Sequence, residues 1–309
     1  MTVLIDFSQI AFSSWFINNT TIDSINFWKY MVLNQIRKIL MTVHPDEVIL
    51  CCDYKSWRKD VFLLYKHSRK AKTGDMKELY AYMDSFISEV KDIFPYKVVK
   101  VEKAEGDDVM AILSAELKKN VMIVSGDKDI QQLVRPGIQL WVNSPYADKV
   151  LTENNPEQLE ELYIYGDTTD GVPNILSPDD IFTQEGKRQK SITKKLLLEI
   201  HNSGGVEHWI ENQPNEIQKN FERNKKLISL SLENIPFEIK KKVLEEYYTD
   251  DLIDRNYGQL IYNYFNEKEM YSFNESVNDF LLGGQTFEAP FVEVPTGVPD
   301  EKDLSGLFE

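Results

Sequence analysis

VMIVSGDKD, residues 121–129, is a run of four apolar residues without polar alternation, broken by Ser125-Gly126 and followed by Asp127 and Asp129. Short Val-, Ile- and Leu-rich runs of this kind read as parallel strands buried on both faces. Acids stand in the same way elsewhere: Val3-Leu-Ile before Asp6, Val48-Ile-Leu-Cys-Cys before Asp53, Glu105-Gly-Asp107-Asp108, and Tyr165-Gly before Asp167 and Asp170. Ligand sites in open α/β sheets lie outside the carboxyl ends of such strands. Three neighbouring strands would therefore bring Asp6, Asp53 and Asp127 together. Unit charges about 4 Å apart cost roughly 4 kcal/mol per pair at an effective dielectric near 20. Such a cluster must take up protons or a cation. Magnesium suits it, because that ion takes oxygen ligands and keeps several of its waters. The four histidines, His44, His67, His201 and His208, form no paired motif that would favour zinc. Any one Asp reads equally well as a turn or N-cap residue; the whole set favours a metal.

The order of elements supports this sheet. Strands are predicted at about 3–6, 47–52, 96–101, 121–124 and 138–142, separated by helical patterns at about 24–42, 76–94, 106–118 and 128–133. Alternation of this kind is the βαβ signature of a mostly parallel sheet covered by helices on both faces. The second half reads as helical, with Pro156-Glu157 opening one helix and Ile192 to His201 forming another. Three regions follow: an α/β core over 1–150, a helical region over 151–282, and an extended acidic tail over 283–309.

At 309 residues, 42% hydrophobic and 28% charged, the composition is that of an ordinary globular chain. No stretch approaches the roughly 20 apolar residues of a membrane span. Cys51 and Cys52 are adjacent in a predicted strand and cannot pair without distorting it, which points to a reducing, cytoplasmic setting. The formal charge of −15 argues against a nucleic-acid partner only until its distribution is considered. Between Lys55 and Lys72 lie seven cations, Lys55, Arg58, Lys59, Lys66, Arg69, Lys70 and Lys72, against Asp60 alone. A second basic cluster, Lys187, Arg188, Lys190, Lys194 and Lys195, follows the last acidic motif. A chain polarised in this way can grip a polyanion through two patches.

Five motifs together carry a resemblance: LIDFSQIAFS from Leu4, VILCCDYKSWRKDVFLLYKHSRK from Val48, VEKAEGDDVMAIL from Val101, VSGDKDIQQL from Val124 and YGDTTDGVPNI from Tyr165. In this order and spacing, over roughly the first 200 residues, they resemble the 5′ nuclease family, which includes flap endonucleases, and within it the T-even bacteriophage branch of ribonuclease H enzymes. The resemblance implies a PIN-like α/β nuclease core, an arch over 54–92 through which a free 5′ strand passes, and a helix-turn-helix in a helical C-terminal DNA-binding domain. It implies one Mg2+ among Asp6, Asp53, Glu105, Asp107 and Asp127, and a second nearer Asp129, Asp167 and Asp170, with Mn2+ as a substitute. Asp108 is expected behind the ligands, because a helix starting here turns it about 100° from Asp107. Two-metal hydrolysis would leave a 5′ phosphate and a 3′ hydroxyl.

The basic run gains a role from the same resemblance. Arg58, Lys66 and Arg69 match basic positions of the arch, and Lys66 and Arg69 would share a helical face and meet the scissile phosphate. Trp57 and Tyr65 offer flat faces for stacking an unpaired base, the other aromatic and apolar residues of the run being packing. Lys55, Lys59, Lys70, Lys187, Arg188, Lys190, Lys194 and Lys195 would contact nucleic-acid backbone. Many family members continue with a Gly-Ile-Gly turn that holds phosphate and potassium. Here Leu176 to Arg188 stands in its place, which leaves a K+ site open.

Expected partners are forked, flapped or nicked DNA and RNA·DNA duplexes, bound by a monomer. Leu304, Leu307 and Phe308 on the acidic C-terminal end have the look of a sliding-clamp peptide; packing on the body is the other reading. A single-strand binding protein is a further expected partner. The implied activity is a Mg2+-dependent 5′ to 3′ exonuclease and flap endonuclease that removes RNA primers and flaps. Two alternatives are a PIN-type ribonuclease, which would lack the arch and helical half, and a catalytically silent junction binder, which should have lost several of the acids.

Overall fold

The computed structural model describes residues 1–16, 25–67, 76–144, 147–249 and 255–288. Arg69, Lys70, Leu304, Leu307 and Phe308 lie outside these residues, and so do the expected roles of the arch tip and the clamp peptide.

Six strands form one sheet: β1 (Thr2–Asp6), β2 (Glu47–Cys52), β3 (Lys97–Lys100), β4 (Val121–Val124), β5 (Ile138–Ser144) and β6 (Ala147–Leu151). Their spatial order is β3-β2-β1-β4-β5-β6, with every pair parallel except β5–β6. The expectation of a mostly parallel sheet is met. The antiparallel β6 was not anticipated, because its ADKVL sequence has neither an apolar run nor strong alternation.

Both faces of the sheet are covered. Strand pleating sends Val3, Ile5, Val48, Leu50 and Cys52 to one face, with α1 (Phe7–Phe16), α2 (Ile25–Val43) and α4 (Lys77–Ile93). Leu4, Ile49 and Cys51 point to the other, toward α5 (Gly106–Leu117) and α10 (Phe237–Thr249). Cys51 and Cys52 thus lie on opposite faces as buried free thiols. A third core, built on Tyr163, Val172, Ile175, Trp209 and Phe221, holds the helical half. That half comprises α6 (Pro156–Tyr165), α7 (Lys194–Asn202), α8 (Val206–Ile210) and α9 (Asn215–Ile228). After α10, α11 (Tyr257–Glu267) and a 3-10 segment, Tyr271–Phe280, return to the first face. No helix among the described residues is long and apolar enough to cross a membrane.

Two local differences from the sequence expectations bear on function. Residues Lys128–Leu133 form a 3-10 helix that starts at Asp127, whose side chain accepts from the Asp129 amide. Among its described residues the basic run after β2 has one helical turn, α3 (Arg58–Val61), followed by successive turns through His67.

Candidate active site

Chain order places the acids. The chain leaves β1 for β2 and β3 on one side, then returns to β4 on the other side of β1, so the strand order reverses between β1 and β4. Crevices at such reversal points are where α/β sheets hold ligands. Asp6 ends β1, Asp53 follows β2, and Asp127 follows β4 after Ser125-Gly126. Asp107 joins them from the first turn of α5.

Short hydrogen bonds fix this group. Ser125 Oγ donates to Asp6 Oδ2 at 2.8 Å and accepts from the Asp127 amide at 3.1 Å, tying the ends of β1 and β4 together. The Gln9 amide donates to Asp6 Oδ1, while the Gln9 side chain accepts from the Gly126 amide at 2.6 Å and donates to the Asn143 carbonyl. Asp53 Oδ1 accepts from the Gly106 amide at 2.6 Å. A Cβ on Gly106 would lie 3.3 Å from that same oxygen and from the Cys51 carbonyl. Ser125, Gln9 and Gly106 carry no charge and no metal-ligand pattern; only the quoted motifs LIDFSQIAFS, VEKAEGDDVMAIL and VSGDKDIQQL contained them.

The electrostatics show carboxylates that are buried and crowd one another. Burial, then Asp53 and Asp127, push the Asp6 carboxyl up to about 7. Burial, then Asp127, Asp6 and Asp53, push Asp107 well above the usual carboxylate range. Like charges resist joint ionisation, so the neighbouring carboxylates add to the rise of Asp6 and Asp107.

A second group faces them across a narrow cleft lined by Asp107, Asp129, Asp167 and Asp170. Burial, then Asp127 and Asp167, push Asp129 up to about 7. Its Oδ1 is buried with no hydrogen-bond partner among the described residues. Asp167 and Asp170 sit on a tight turn after α6, in which Asp167 Oδ1 accepts from the amides of Thr169 and Asp170. Gly166 enters that turn at φ +68°, and a Cβ there would stand 2.4 Å from the Val172 carbonyl oxygen. Only glycine fits.

Glu105 behaves differently from the other acids. It caps α5 in a reciprocal pair with Asp108, whose Oδ2 accepts from the Glu105 amide at 3.0 Å. Arg58 and Ser56 donate to Glu105 Oε2 and Lys66 to Oε1. Burial pushes this carboxyl up, but Lys66 and Arg58 together outweigh it and hold it near 2. Glu105 could reach an ion only after Lys66 leaves Oε1.

Three expectations about the basic run differ from the structure. Arg58 is 2% exposed. It lines the floor of the cleft, but its guanidinium donates twice to Asp108, once to Glu105, and through Nε to the Leu227 carbonyl at 2.8 Å, so four of its donors are taken up within the protein. Trp57, 3% exposed, gives its Nε1 proton to Asp108 and packs against Arg58 and Lys226. Tyr65, 4% exposed, donates its hydroxyl proton to Asp170 at 2.7 Å. Neither ring has a free face for a base. Burying a planar cation is favourable where two carboxylates and a carbonyl take its donors, a pairing that sequence spacing does not reveal.

Lys66 does reach the cleft, but from a turn at φ +55° and not from a helix. Its amide donates to the Asp170 carbonyl at 2.7 Å and its ammonium lies 3.6 Å from Asp170 Oδ2. Lys55, Lys59, Lys187, Arg188, Lys190, Lys194 and Lys195 are exposed. Asp108 is fully buried behind the cleft on Arg58.

Among the described residues no three His, Cys, Asp or Glu side chains have the spacing to enclose a bare ion.

Comparison with known proteins agrees with this architecture. Residues 1–163 match the 5′-3′ exonuclease N-terminal resolvase-like domain, and residues 157–280 match the C-terminal domain of T4 RNase H. The chain is 28% identical over 300 residues to the ribonuclease H of Enterobacteria phage T4, covering 90% of this chain and 95% of that one. It is 29% identical over 166 residues to the flap endonuclease Xni of Shewanella denitrificans, covering 50% of this chain and 64% of the relative. In fold it is similar to the T5 5′-exonuclease with bound divalent zinc ions, with a TM-score of 0.57 at 17% identity over 81% of this chain and 100% of that one. A T5 flap endonuclease in a pseudo-enzyme-product complex with DNA and metal ions gives a TM-score of 0.58 at 18% identity, over 81% and 98% of the two chains. With its strand order, its acids at the sheet mouth and these matches, the chain belongs to the family of 5′-3′ exonucleases.

Proposed function

We propose that the protein is a magnesium-dependent 5′ to 3′ exonuclease and flap endonuclease that hydrolyses phosphodiesters near the 5′ end of DNA and RNA·DNA duplexes. In the cell it would remove RNA primers and flaps during lagging-strand synthesis. The observation that carries this reading is the cleft itself, where carboxylates at the sheet mouth crowd together opposite those of the turn after α6. Asp6 and Asp129 are both pushed up to about 7, and one oxygen of Asp129 is buried unpartnered. These donors are all oxygen, which fits magnesium, with manganese as its substitute. Asp6, Asp53, Asp107 and Asp127 would hold one ion, and Asp129, Asp167 and Asp170 a second.

Bound there, such ions supply a water acidic enough to deprotonate near neutral pH and neutralise charge on the phosphate. The chain's own residues do the rest. Ser125 and Gln9 keep Asp6 and Asp127 aimed into the cleft, and Lys66 keeps a cation between the two groups. The exposed cations Lys187, Arg188, Lys190, Lys194 and Lys195 would hold duplex backbone, which needs charge but no particular sequence. The names of the phage and bacterial relatives support the same activity.

A 5′-labelled flap and a 5′-labelled RNA·DNA duplex should each be cut in magnesium and stay intact in EDTA, with products carrying a 5′ phosphate. Asp127→Asn should nearly abolish cutting while DNA binding survives. Cleavage that ignores chelation overturns the proposal.

A further inference from the structure

The acids of the cleft belong to two parts of the fold. Asp6, Asp53, Asp107 and Asp127 stand at the mouth of the sheet, whereas Asp167 and Asp170 ride on the turn after α6 in the helical half. Two-ion chemistry needs the gap between such groups held to within a fraction of an ångström. Backbone bonds inside the turn, Val172 amide to Asp167 carbonyl and Ile175 amide to Ile164 carbonyl, fix its shape. They do not fix its distance from the sheet.

Helix α9 spans that distance with its last turn, which is held on both sides. Near its end Asn224, fully buried, donates from Nδ2 to the Tyr163 carbonyl at 2.8 Å and to the Pro173 carbonyl at 2.9 Å. Those carbonyls lie on the two arms of the acidic turn, one before Gly166 and one after Asp170. Arg223 sets the amide the right way round: its Nε and Nη2 donate to Asn224 Oδ1, and Nη2 also donates to the Pro173 carbonyl. Just beyond the helix, Gln132 reaches from the 3-10 helix that begins at Asp127. Its Nε2 donates to the Ile228 carbonyl at 3.1 Å and its Oε1 accepts from the Leu230 amide at 3.0 Å. One side-chain amide thereby grips the chain on both sides of Ser229. Arg58 adds its bond to the Leu227 carbonyl.

We infer that the last turn of α9 is the strut that sets the spacing between the acids of the sheet side and Asp167 and Asp170 of the turn, with Gln132 the positioning residue that ties it to the sheet side and Asn224 the one that ties it to the turn. This inference rests on the two-ion reading above. Neither amide touches a carboxylate of the cleft. Asn224 holds the backbone arms of the turn that carries Asp167 and Asp170, and Gln132 ties the 3-10 segment that carries Asp129 to the chain leaving α9.

Manganese binding to the full chain, followed by the paramagnetic resonance signal of free Mn2+, tests it without cleavage. The variants are Gln132→Ala, Asn224→Ala and, as a control on the same helix, Lys225→Ala, which removes a surface pair with Glu207 and a ring contact with Phe221 and touches neither the turn nor the sheet side. Wild type and Lys225→Ala should bind two ions. In Gln132→Ala and Asn224→Ala one site should keep its affinity and the other weaken by about ten- to a hundredfold, the usual cost of losing an outer support. Single-turnover cleavage should then recover as magnesium is raised. Asn224 is buried and its loss tests folding severely, so the half-buried Gln132 decides the matter. A folded Gln132→Ala variant with both sites at wild-type affinity, or with both weakened by one factor, overturns the strut. A wild-type chain that binds no manganese overturns the two-ion reading instead.

Discussion

Arg58→Met removes the charge of a buried guanidinium while keeping much of its volume. Four of its five N–H donors are used, on Asp108 twice, Glu105 and the Leu227 carbonyl. The change strands a fully buried Asp108 carboxylate and one oxygen of Glu105 without their cation. Breaking a buried pair by removing one partner costs about 3–5 kcal/mol. Urea unfolding at pH 7 without divalent ions should show this loss as a lower midpoint at unchanged slope. The acid limb should move as well. Glu105 titrates from 4.5 in the unfolded chain to about 2 in the folded one, so its contribution is fully present above pH 4.5 and lost as the pH falls toward 2. That contribution is on the order of 3 kcal/mol. Without Arg58 the folded value rises and the contribution shrinks. Asp108→Asn in the Arg58→Met background should restore part of the stability by deleting the stranded charge. A loss within about 0.5 kcal/mol, the range of a surface substitution, together with weaker DNA binding and a shallower salt slope, would refute the buried role and return Arg58 to the substrate.

Three further outcomes follow from the geometry. Asp6 titrates from 3.8 in the unfolded chain to about 7 in the folded one, so its contribution is present below pH 3.8 and lost as the pH rises through 7; melting temperature without divalent ions should fall over that window, and magnesium should flatten the decline, whereas a flat apo profile contradicts the crowding. Lys66→Ala should slow the single-turnover rate by about tenfold or more while DNA affinity changes much less, since its ammonium sits between Glu105 and Asp170, and an unchanged rate removes it from the chemistry. Replacing the exposed pair Lys194 and Lys195 with alanine should weaken duplex binding for every sequence alike and lower the salt slope by about 2, as measured by anisotropy at several salt concentrations, and an unaltered slope places the backbone contact elsewhere.

The parallel sheet was legible because burial on both faces writes an uninterrupted apolar run, as in Val48 to Cys52, and such runs end where the chain turns polar. The acids at those ends were legible for the same reason. β6 escaped because an edge strand whose Asp148, Lys149 and Val150 are all exposed needs no such run. Asp108 was correctly expected behind the cleft, since helical rotation alone separates it from Asp107. The basic run misled because charge in sequence reads as exposure. Lys55 and Lys59 obey that rule, but Arg58 between them is buried by carboxylates about 50 positions away.

By itself, then, the sequence determined the strands, their acidic ends and the family, because these depend on local periodicity and on residues within a few positions of one another. Only the tertiary structure decided which charges are spoken for. Glu105 and Asp108 are taken up by Arg58 and Lys66, whereas Asp6, Asp107 and Asp129 are left crowded, and Gln132 spans the two halves while Asn224 ties α9 to the acidic turn. Coulomb energy and hydrogen bonds depend on distance in space, and those distances join residues that lie tens to more than a hundred positions apart in the chain.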